Sequence, residues 1–471
     1  MLRNFIGERL LENLDFQPTL SQRDLVGALA AFLAADQGSE IMLVKGYAGT
    51  GKTTLLKSLV RTLGELKQRS VLLAPTGRAA KVLSAHSGHP AWTIHKKIYR
   101  QKSGRDGLGE FVLDRNLHKN TFFIVDEASM IGDRSKDSVF GSGDLLRDLL
   151  DYVESGEKCR LILSGDTAQL PPVGLDISPA LNRERFERFG YQVREIELTD
   201  VVRQAEDSGI LFNASSIRYL ITQGLKDYPR FHFDPYPDIA MIDGSELLEA
   251  ISMSYDRYGL SDTIVVTRSN KRANQFNAVI RSQILWREGQ LTSGDLLMVV
   301  KNNYFWKDEE RHLDFIANGD IIQVEKVLST EEVHGRRFAN VRITLPDYQH
   351  MELEAKVLLD VIDMESPSLD YEQQKNLYLS VAEDYPDAGS KRKLAERIST
   401  DPYYNALQVK FAYAVTCHKA QGGQWRSVFL DQGYYTDEML SIDYLRWIYT
   451  AFTRASEKLY LVNLARQFRP A

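Results

Sequence analysis

The run Gly46-Tyr47-Ala48-Gly49-Thr50-Gly51-Lys52-Thr53 carries the plainest chemistry in the chain. Its glycines let the backbone turn tightly and aim N–H groups inward. Before it, Ile41-Met42-Leu43-Val44 reads as a buried parallel strand. After it, Thr54-Leu55-Leu56-Lys57-Ser58-Leu59-Val60 places apolar residues at helical spacing. Strand, glycine loop and helix in that order make a P-loop, and the helix N-terminus adds partial positive charge for phosphates. Gly46, Ala48, Gly49, Thr50, Gly51, Lys52, Thr53 and Thr54 are therefore expected to hold ATP, with Lys52 at the β- and γ-phosphates and Thr53 on Mg²⁺.

Further groups suit the same reaction. Asp126 and Glu127 end the apolar run Phe122–Val125. Asp126 is placed to hold Mg²⁺ and Glu127 to orient and polarise the attacking water. A helix N-cap is the other reading of such a pair, and the P-loop in the same sheet favours the catalytic one. Gln169, in Gly165-Asp166-Thr167-Ala168-Gln169-Leu170-Pro171-Pro172, is a candidate γ-phosphate sensor, or else a turn residue. Arg203 and Arg454 are candidates to clamp phosphate oxygens with a charge that cannot titrate. The amide of Gln22 could read an adenine edge, and a solvent-facing glutamine is the equal alternative.

These groups need a scaffold, and the alternation around them supplies one. Ser70–Ala74, Thr121–Val125 and Arg160–Leu163 are strands, each followed by a polar turn or a helix. That pattern predicts an α/β fold, a parallel sheet covered by helices, with ligands beyond the strand carboxyl ends. Residues 97–119 break it with two short β-like runs around a glycine-rich turn, a hairpin. Phe140-Gly141-Ser142-Gly143 reads as a mobile loop, and residues 1–20 as an entry segment. A second alternating block covers 206–290 and 405–471, its first clear strand Thr263–Thr267; it resumes with Val409–Thr416, then Ser427–Leu430 and Lys458–Val462. Residues 291–404 interrupt it, β-rich at first, then helical and charged over 369–400. No second P-loop appears, so the second block is expected to close over the first block's nucleotide.

Bulk properties narrow the field. The 471 residues carry a formal charge of −6, which excludes a bulk-basic nucleic-acid binder and requires any nucleic acid to sit in a local groove. No apolar run approaches the ~18 residues of a membrane span. Two cysteines far apart, Cys159 and Cys417, make no disulfide framework and suit a cytoplasmic setting. His86, His89 and His95 lack the companions of a zinc pattern and read as loop residues.

Taken together, the motifs resemble those of superfamily 1B DNA helicases, the RecD-like and Dda-like enzymes. The resemblance rests on Gly46–Thr53, Ala74–Ala80, Thr93-Ile94-His95, Asp126–Ser129, Gly165–Leu170, Arg203-Gln204, Thr416–Gly422 and Tyr449–Arg454. It implies two RecA-like lobes, 1–205 and 206–290 with 405–471, with ATP between them and single-stranded DNA across their tops. It makes Gln22 the adenine-reading glutamine and Arg203 and Arg454 the γ-phosphate arginines. It places Gln421 and Gly422 in the motif that couples the two sites, with Gly422 among the nucleotide-binding candidates. It assigns the strand contacts to Pro75, Thr76, Arg78, Thr93, His95, Thr416, His418 and Lys419. The hairpin becomes a separation pin, and 291–404 holds an SH3-like barrel. The charged helices over 369–400 and the long 131–144 loop have no counterpart in it.

Residue chemistry supports nucleic acid independently: hydroxyls, Lys419 and helix N-termini at strand ends can hold phosphates. Trp92, Tyr99 and Phe111 are candidates to stack bases near the pin. The expected activity is 5′→3′ DNA unwinding, the direction being implied by the resemblance alone. A monomer is expected, acting on single-stranded DNA and single/double-strand junctions with repair or replication proteins as partners. A protein-displacing translocase, an RNA helicase and the motor subunit of a nuclease complex share these motifs. A non-enzymatic switch is disfavoured by Glu127, Gln169 and both arginines.

Overall fold

A computed structural model of the chain describes residues 1–35, 40–102, 110–132, 140–200, 207–306, 313, 315–348 and 350–470. The hairpin tip, half of the 131–144 loop and Arg203 lie outside the described residues.

The first lobe contains β1 (Glu40–Gly46), β2 (Arg69–Ala74), β3 (Ala91–Thr93), β4 (Tyr99–Lys102), β5 (Glu110–Leu113), β6 (Thr121–Val125), β7 (Arg160–Gly165) and β8 (Gln192–Leu198). Six of these form one parallel sheet in the order β3-β2-β6-β7-β1-β8. Both faces are buried, which explains the near-continuous apolar runs. Ile41 and Leu43 pack in one core cluster, Met42 and Val44 in another, as the two-residue period of a strand requires.

The second lobe has β9 (Ile239–Ile242) and β10 (Thr263–Thr267), then the barrel strands β11 (Leu296–Val299), β12 (Ile321–Val333), β13 (Arg336–Leu345), β14 (Met351–Leu358) and β15 (Leu407–Phe411), then β16 (Ala414–Thr416), β17 (Trp425–Asp431) and β18 (Ala455–Val462). Its parallel sheet runs β16-β10-β17-β18-β9, and β11 to β15 close into a small barrel. Barrel and second sheet share one hydrophobic core, which also takes in Tyr47, Ala168 and Leu170 from the first lobe. Asp295, at the barrel entrance, is fully buried and accepts from Arg281 at 2.9 and 3.0 Å, from Arg287 at 2.9 Å and from the Tyr413 hydroxyl at 3.0 Å. Removing one partner of such a buried ion pair costs several kcal/mol, so this cluster fixes the barrel to its lobe.

Several expectations need correction. Residues 1–20 are more than an entry segment: Leu2–Glu12 is a helix whose Ile6 and Leu10, spaced i, i+4, join the core of the first lobe. Val409–Thr416 is not one strand. It is split at Ala412-Tyr413, so that β15 closes the barrel and β16 enters the lobe sheet. The Phe140–Gly143 loop is fastened: Gly141 N–H donates to Phe111 O at 2.7 Å, and Ser142 N–H to Asp148 Oδ2 at 2.9 Å. The Phe140 ring stacks on Phe111 at 4.6 Å, which gives this glycine-rich stretch an anchor. His86 and His95 sit on helices Gly77–Ser87 and Ile94–Ile98 rather than in loops. The charged 369–400 region forms helices Tyr371–Ala382 and Lys391–Ser399, whose Leu377, Val381 and Ile398 cover Val300, Phe338 and Leu358 of the barrel.

Candidate nucleotide and nucleic-acid sites

The P-loop joins β1 to helix Lys52–Glu65. Gly49 and Gly51 hold φ of 76° and 81°, the left-handed region that only glycine enters cheaply. Thr50 is fully buried and donates its hydroxyl to Tyr47 O at 2.7 Å, tying the loop to itself. Lys52 Nζ sits among loop carbonyls, donating to Gly46 O at 2.5 Å and Tyr47 O at 3.2 Å. Thr53 and Thr54 follow on the first helical turn.

Gln22 is neither solvent-facing nor loose. Helix Leu20–Ala34 starts at the Thr19 N-cap, and Gln22 completes a capping box with it, its Oε1 accepting from Thr19 N–H at 2.9 Å. Its Nε2 donates to Thr50 O at 2.9 Å, so an adenine-reading amide would be held in place by the P-loop itself.

Asp126 and Glu127 stand at the carboxyl end of β6, which is separated from the P-loop strand β1 by β7 alone. Burial and the neighbouring Glu127 push the Asp126 carboxyl up, with Lys52 acting against them. A carboxyl raised by burial and by an acidic neighbour sits in an environment that a divalent cation relieves, and a donor set of Thr53 and Asp126 fits Mg²⁺. Glu127 holds φ 53°, a left-handed conformation that a non-glycine residue adopts at a cost. Gln169 is buried, and its Oε1 has no hydrogen-bond partner among the described residues, so the amide keeps an acceptor for a phosphate-side water.

Arg454 is buried and spends its guanidinium inside its own lobe. Nε donates to Thr450 O at 3.1 Å, Nη1 to Gly423 O at 3.1 Å and Nη2 to Thr453 Oγ1 at 3.2 Å. Reaching a phosphate requires these bonds to be exchanged. Two lobe-2 side chains to which the sequence reading gave no role do touch the P-loop. The Arg218 guanidinium lies 4.6 Å over the Tyr47 ring, and the Tyr449 hydroxyl accepts from Ala48 N–H at 2.9 Å.

Most of the expected strand contacts gather in a second place. A cleft of about 300 Å³ is lined by Pro75, Thr76, Arg78, Thr93 and His95 from the first lobe, His418, Lys419 and Gln421 from the second, and Met298, Asn302, Phe315 and Asn318 from the barrel. Thr416, at the end of β16, occupies the N-cap position of helix Cys417–Ala420 without a side-chain capping bond and is not among the lining residues. Thr76 Oγ1 and Thr93 Oγ1 accept from Ala79 N–H at 3.2 Å and Lys96 N–H at 3.1 Å. Each cap leaves the hydroxyl proton free to donate to a phosphate. His95 is pushed down to about 4 by burial and so offers a neutral ring near pH 7. The barrel's contribution was not legible, because it depends on Ala317–Asp320 packing against Gly77 at the start of helix Gly77–Ser87.

The bases have fewer free aromatics than expected. Tyr99 is buried and donates to Asp148 Oδ2 at 2.6 Å, and Phe111 packs between Phe140 at 4.6 Å and Tyr304 at 4.4 Å. Both support the hairpin base. Half-buried Trp92 lies under Lys97 Nζ at 5.6 Å.

Lys419 Nζ is buried with no hydrogen-bond partner among the described residues, and burial, then the charge of Lys410, pulls it down to about 8. A lowered lysine pKa means the cation is present below about pH 8 and lost above it. Affinity for single-stranded DNA is therefore expected to fall as pH rises from 7 to 9, and Lys419→Gln to flatten that dependence. Lys410 titrates in the same range, but its Nζ is held by Val361 O at 2.9 Å and by Met364 O, so Lys419→Gln isolates the cleft lysine. Fluorescence anisotropy across that pH range checks it; an equal slope in both proteins refutes it.

Residues 21–219 match the AAA domain family, and residues 411–462 the UvrD-like helicase C-terminal domain family. The chain is 31% identical to the ATP-dependent RecD2 DNA helicase of Deinococcus radiodurans over 41% of its length and 24% of the relative's. It is 27% identical to the ATP-dependent DNA helicase dda of Enterobacteria phage T4 over 80% of its length and 84% of the relative's. By its two domain matches and these relatives, the chain is similar to superfamily 1B helicases. The chain thus spans about a quarter of the RecD2 relative, 24% of its length, and most of the phage one. The Pif1 helicase from Bacteroides, solved with ADP-AlF3 and ssDNA, matches 97% of this chain and 95% of its own at 15% identity and a TM-score of 0.47.

Proposed function

We propose that this chain is an ATP-hydrolysing motor that moves 5′→3′ along single-stranded DNA and opens duplex DNA. One observation carries the reading: the segment Thr416–Gly422 touches both candidate sites. His418 and Lys419 line the cleft, while Gln421 Nε2 donates to Leu170 O at 2.8 Å, next to Gln169. A Cβ on Gly422 would come within 2.8 Å of Ala79 Cβ and 3.2 Å of Thr76 Oγ1, so lobe 2 rests on the strand-binding helix as well. A shift that brings this segment toward the nucleotide must also move the cleft.

In this reading the P-loop and Lys52 bind the phosphates of ATP, and Glu127 orients and polarises the attacking water, with Gln169 as the γ-phosphate sensor. Arg203 and Arg454 clamp the γ-phosphate. Thr53 and Asp126 would hold Mg²⁺, which supplies charge neutralisation at the phosphates. Gln22 selects adenine. Pro75, Thr76, Arg78, Thr93, His95, Thr416, His418 and Lys419 hold the strand, and the hairpin splits the duplex at about 1.4 kcal/mol per base-pair step. A monomer in the cytoplasm, working at junctions with repair or replication proteins, fits this activity.

ATP hydrolysis measured with and without single-stranded DNA, paired with unwinding of 5′- and 3′-tailed duplexes, tests the proposal. DNA-stimulated hydrolysis with unwinding from the 5′ tail alone is expected. Unwinding from 3′ tails only reverses the direction. Stimulation with displacement of streptavidin but no strand separation makes the chain a translocase, and preference for matched RNA makes it an RNA motor. Hydrolysis indifferent to any nucleic acid overturns the reading.

A further inference from the structure

The docking of lobe 2 on the P-loop has a chemical centre. Tyr449, on helix Ile442–Phe452, is 1% exposed. Its hydroxyl accepts from Ala48 N–H at 2.9 Å and donates to Asp166 Oδ2 at 2.8 Å. One oxygen thus links the P-loop, the end of β7 and the second lobe. The other carboxylate oxygen of Asp166 accepts from Ala168 N–H at 2.9 Å and shapes the turn that presents Gln169. The flank of that turn is held as well: Thr450 Oγ1 accepts from Leu170 N–H at 2.8 Å, and Leu170 O receives Gln421. Asp166 is itself buried, so its carboxylate depends on these few donors.

A buried tyrosine is most often core, and the Tyr449 ring does sit in the lobe-2 cluster. Packing alone does not require both a P-loop amide and a buried carboxylate at the hydroxyl. We propose that Tyr449 is a positioning residue for ATP hydrolysis. Its hydroxyl sets the spacing between the P-loop, through Ala48, and the Asp166–Gln169 turn, and supplies that spacing only while the lobes are docked. The water-orienting side of the site would then be completed by lobe 2 through a neutral hydroxyl, separately from any arginine. This rests on the ATPase reading above.

Tyr449→Phe keeps the ring and removes the hydroxyl alone, leaving one amide and one carboxylate oxygen short of a partner. A lost buried hydrogen bond of this kind corresponds to roughly a tenfold fall in kcat for DNA-stimulated hydrolysis. The KM for ATP is expected to stay within about twofold, because the effect lies on positioning and not on uniform binding. Asp166→Asn, which keeps an oxygen to receive the hydroxyl, is expected to be milder than Asp166→Ala. The double variant Tyr449→Phe/Asp166→Ala is expected to be no slower than Asp166→Ala alone. Circular dichroism melting confirms that each variant is folded. An unchanged kcat in Tyr449→Phe, a loss confined to KM, or effects that multiply in the double variant overturns the inference. A wild-type chain without DNA-stimulated hydrolysis overturns the ATPase reading and this inference together; an active wild type with an indifferent Tyr449→Phe overturns this inference alone.

Discussion

Replacing Lys52 by alanine is expected to slow ATP hydrolysis by about a thousandfold or more, the upper range for deleting one preorganised charge from a reacting site. The fold should be unaffected, because among the described residues Nζ bonds to Gly46 O and Tyr47 O alone, carbonyls of an otherwise self-tied loop. Phosphate-release kinetics at saturating single-stranded DNA, with thermal melting as the folding control, check this. DNA-stimulated turnover that survives the change contradicts the P-loop assignment.

The second large effect is expected at Arg454. A phosphate-clamping arginine supplied across a cleft is worth about 10³–10⁵ in rate, so Arg454→Ala should keep nucleotide binding and lose hydrolysis. The side chain also holds Thr450 O and Gly423 O, which gives it a structural share of the loss. Arg454→Lys separates the two. A lysine preserves the charge but lacks the planar fork that reaches two carbonyls and a hydroxyl together. If the phosphate contact dominates, both variants melt near wild type and bind a fluorescent ATP analogue, and both turn over slowly. If the internal bonds dominate, Arg454→Ala melts early and its binding fails too. Unchanged turnover in folded Arg454→Ala removes the proposed role.

The P-loop, the Asp126-Glu127 strand end and the Gly165–Leu170 turn were legible because each is local: a few consecutive residues fix strand, turn and helix. The parallel sheets followed from apolar runs buried on both faces. β8 escaped notice because Gln192–Leu198 carries three charges, Arg194, Glu195 and Glu197, and lies at the sheet edge. The Tyr449–Asp166 bond joins residues 283 apart in sequence, and no spacing rule reaches that far. Arg218 reads as one more surface arginine of helix Gly209–Thr222 until the packing puts it over Tyr47. The loop around Gly141 and Gly143 reads as slack because its composition says nothing of where Phe140 lands.

Only Ala412 and Tyr413 separate the last barrel strand from β16, and Tyr413 is itself bonded back to Asp295 at the barrel's other root. An insert tethered that tightly at both roots has no slack with which to swivel on its own. Barrel and second sheet must travel as one piece, like a handle forged onto a blade. Any movement of the second sheet is therefore carried along to Asn302, Phe315 and Asn318, the barrel residues that line the cleft beside Thr76 and His95.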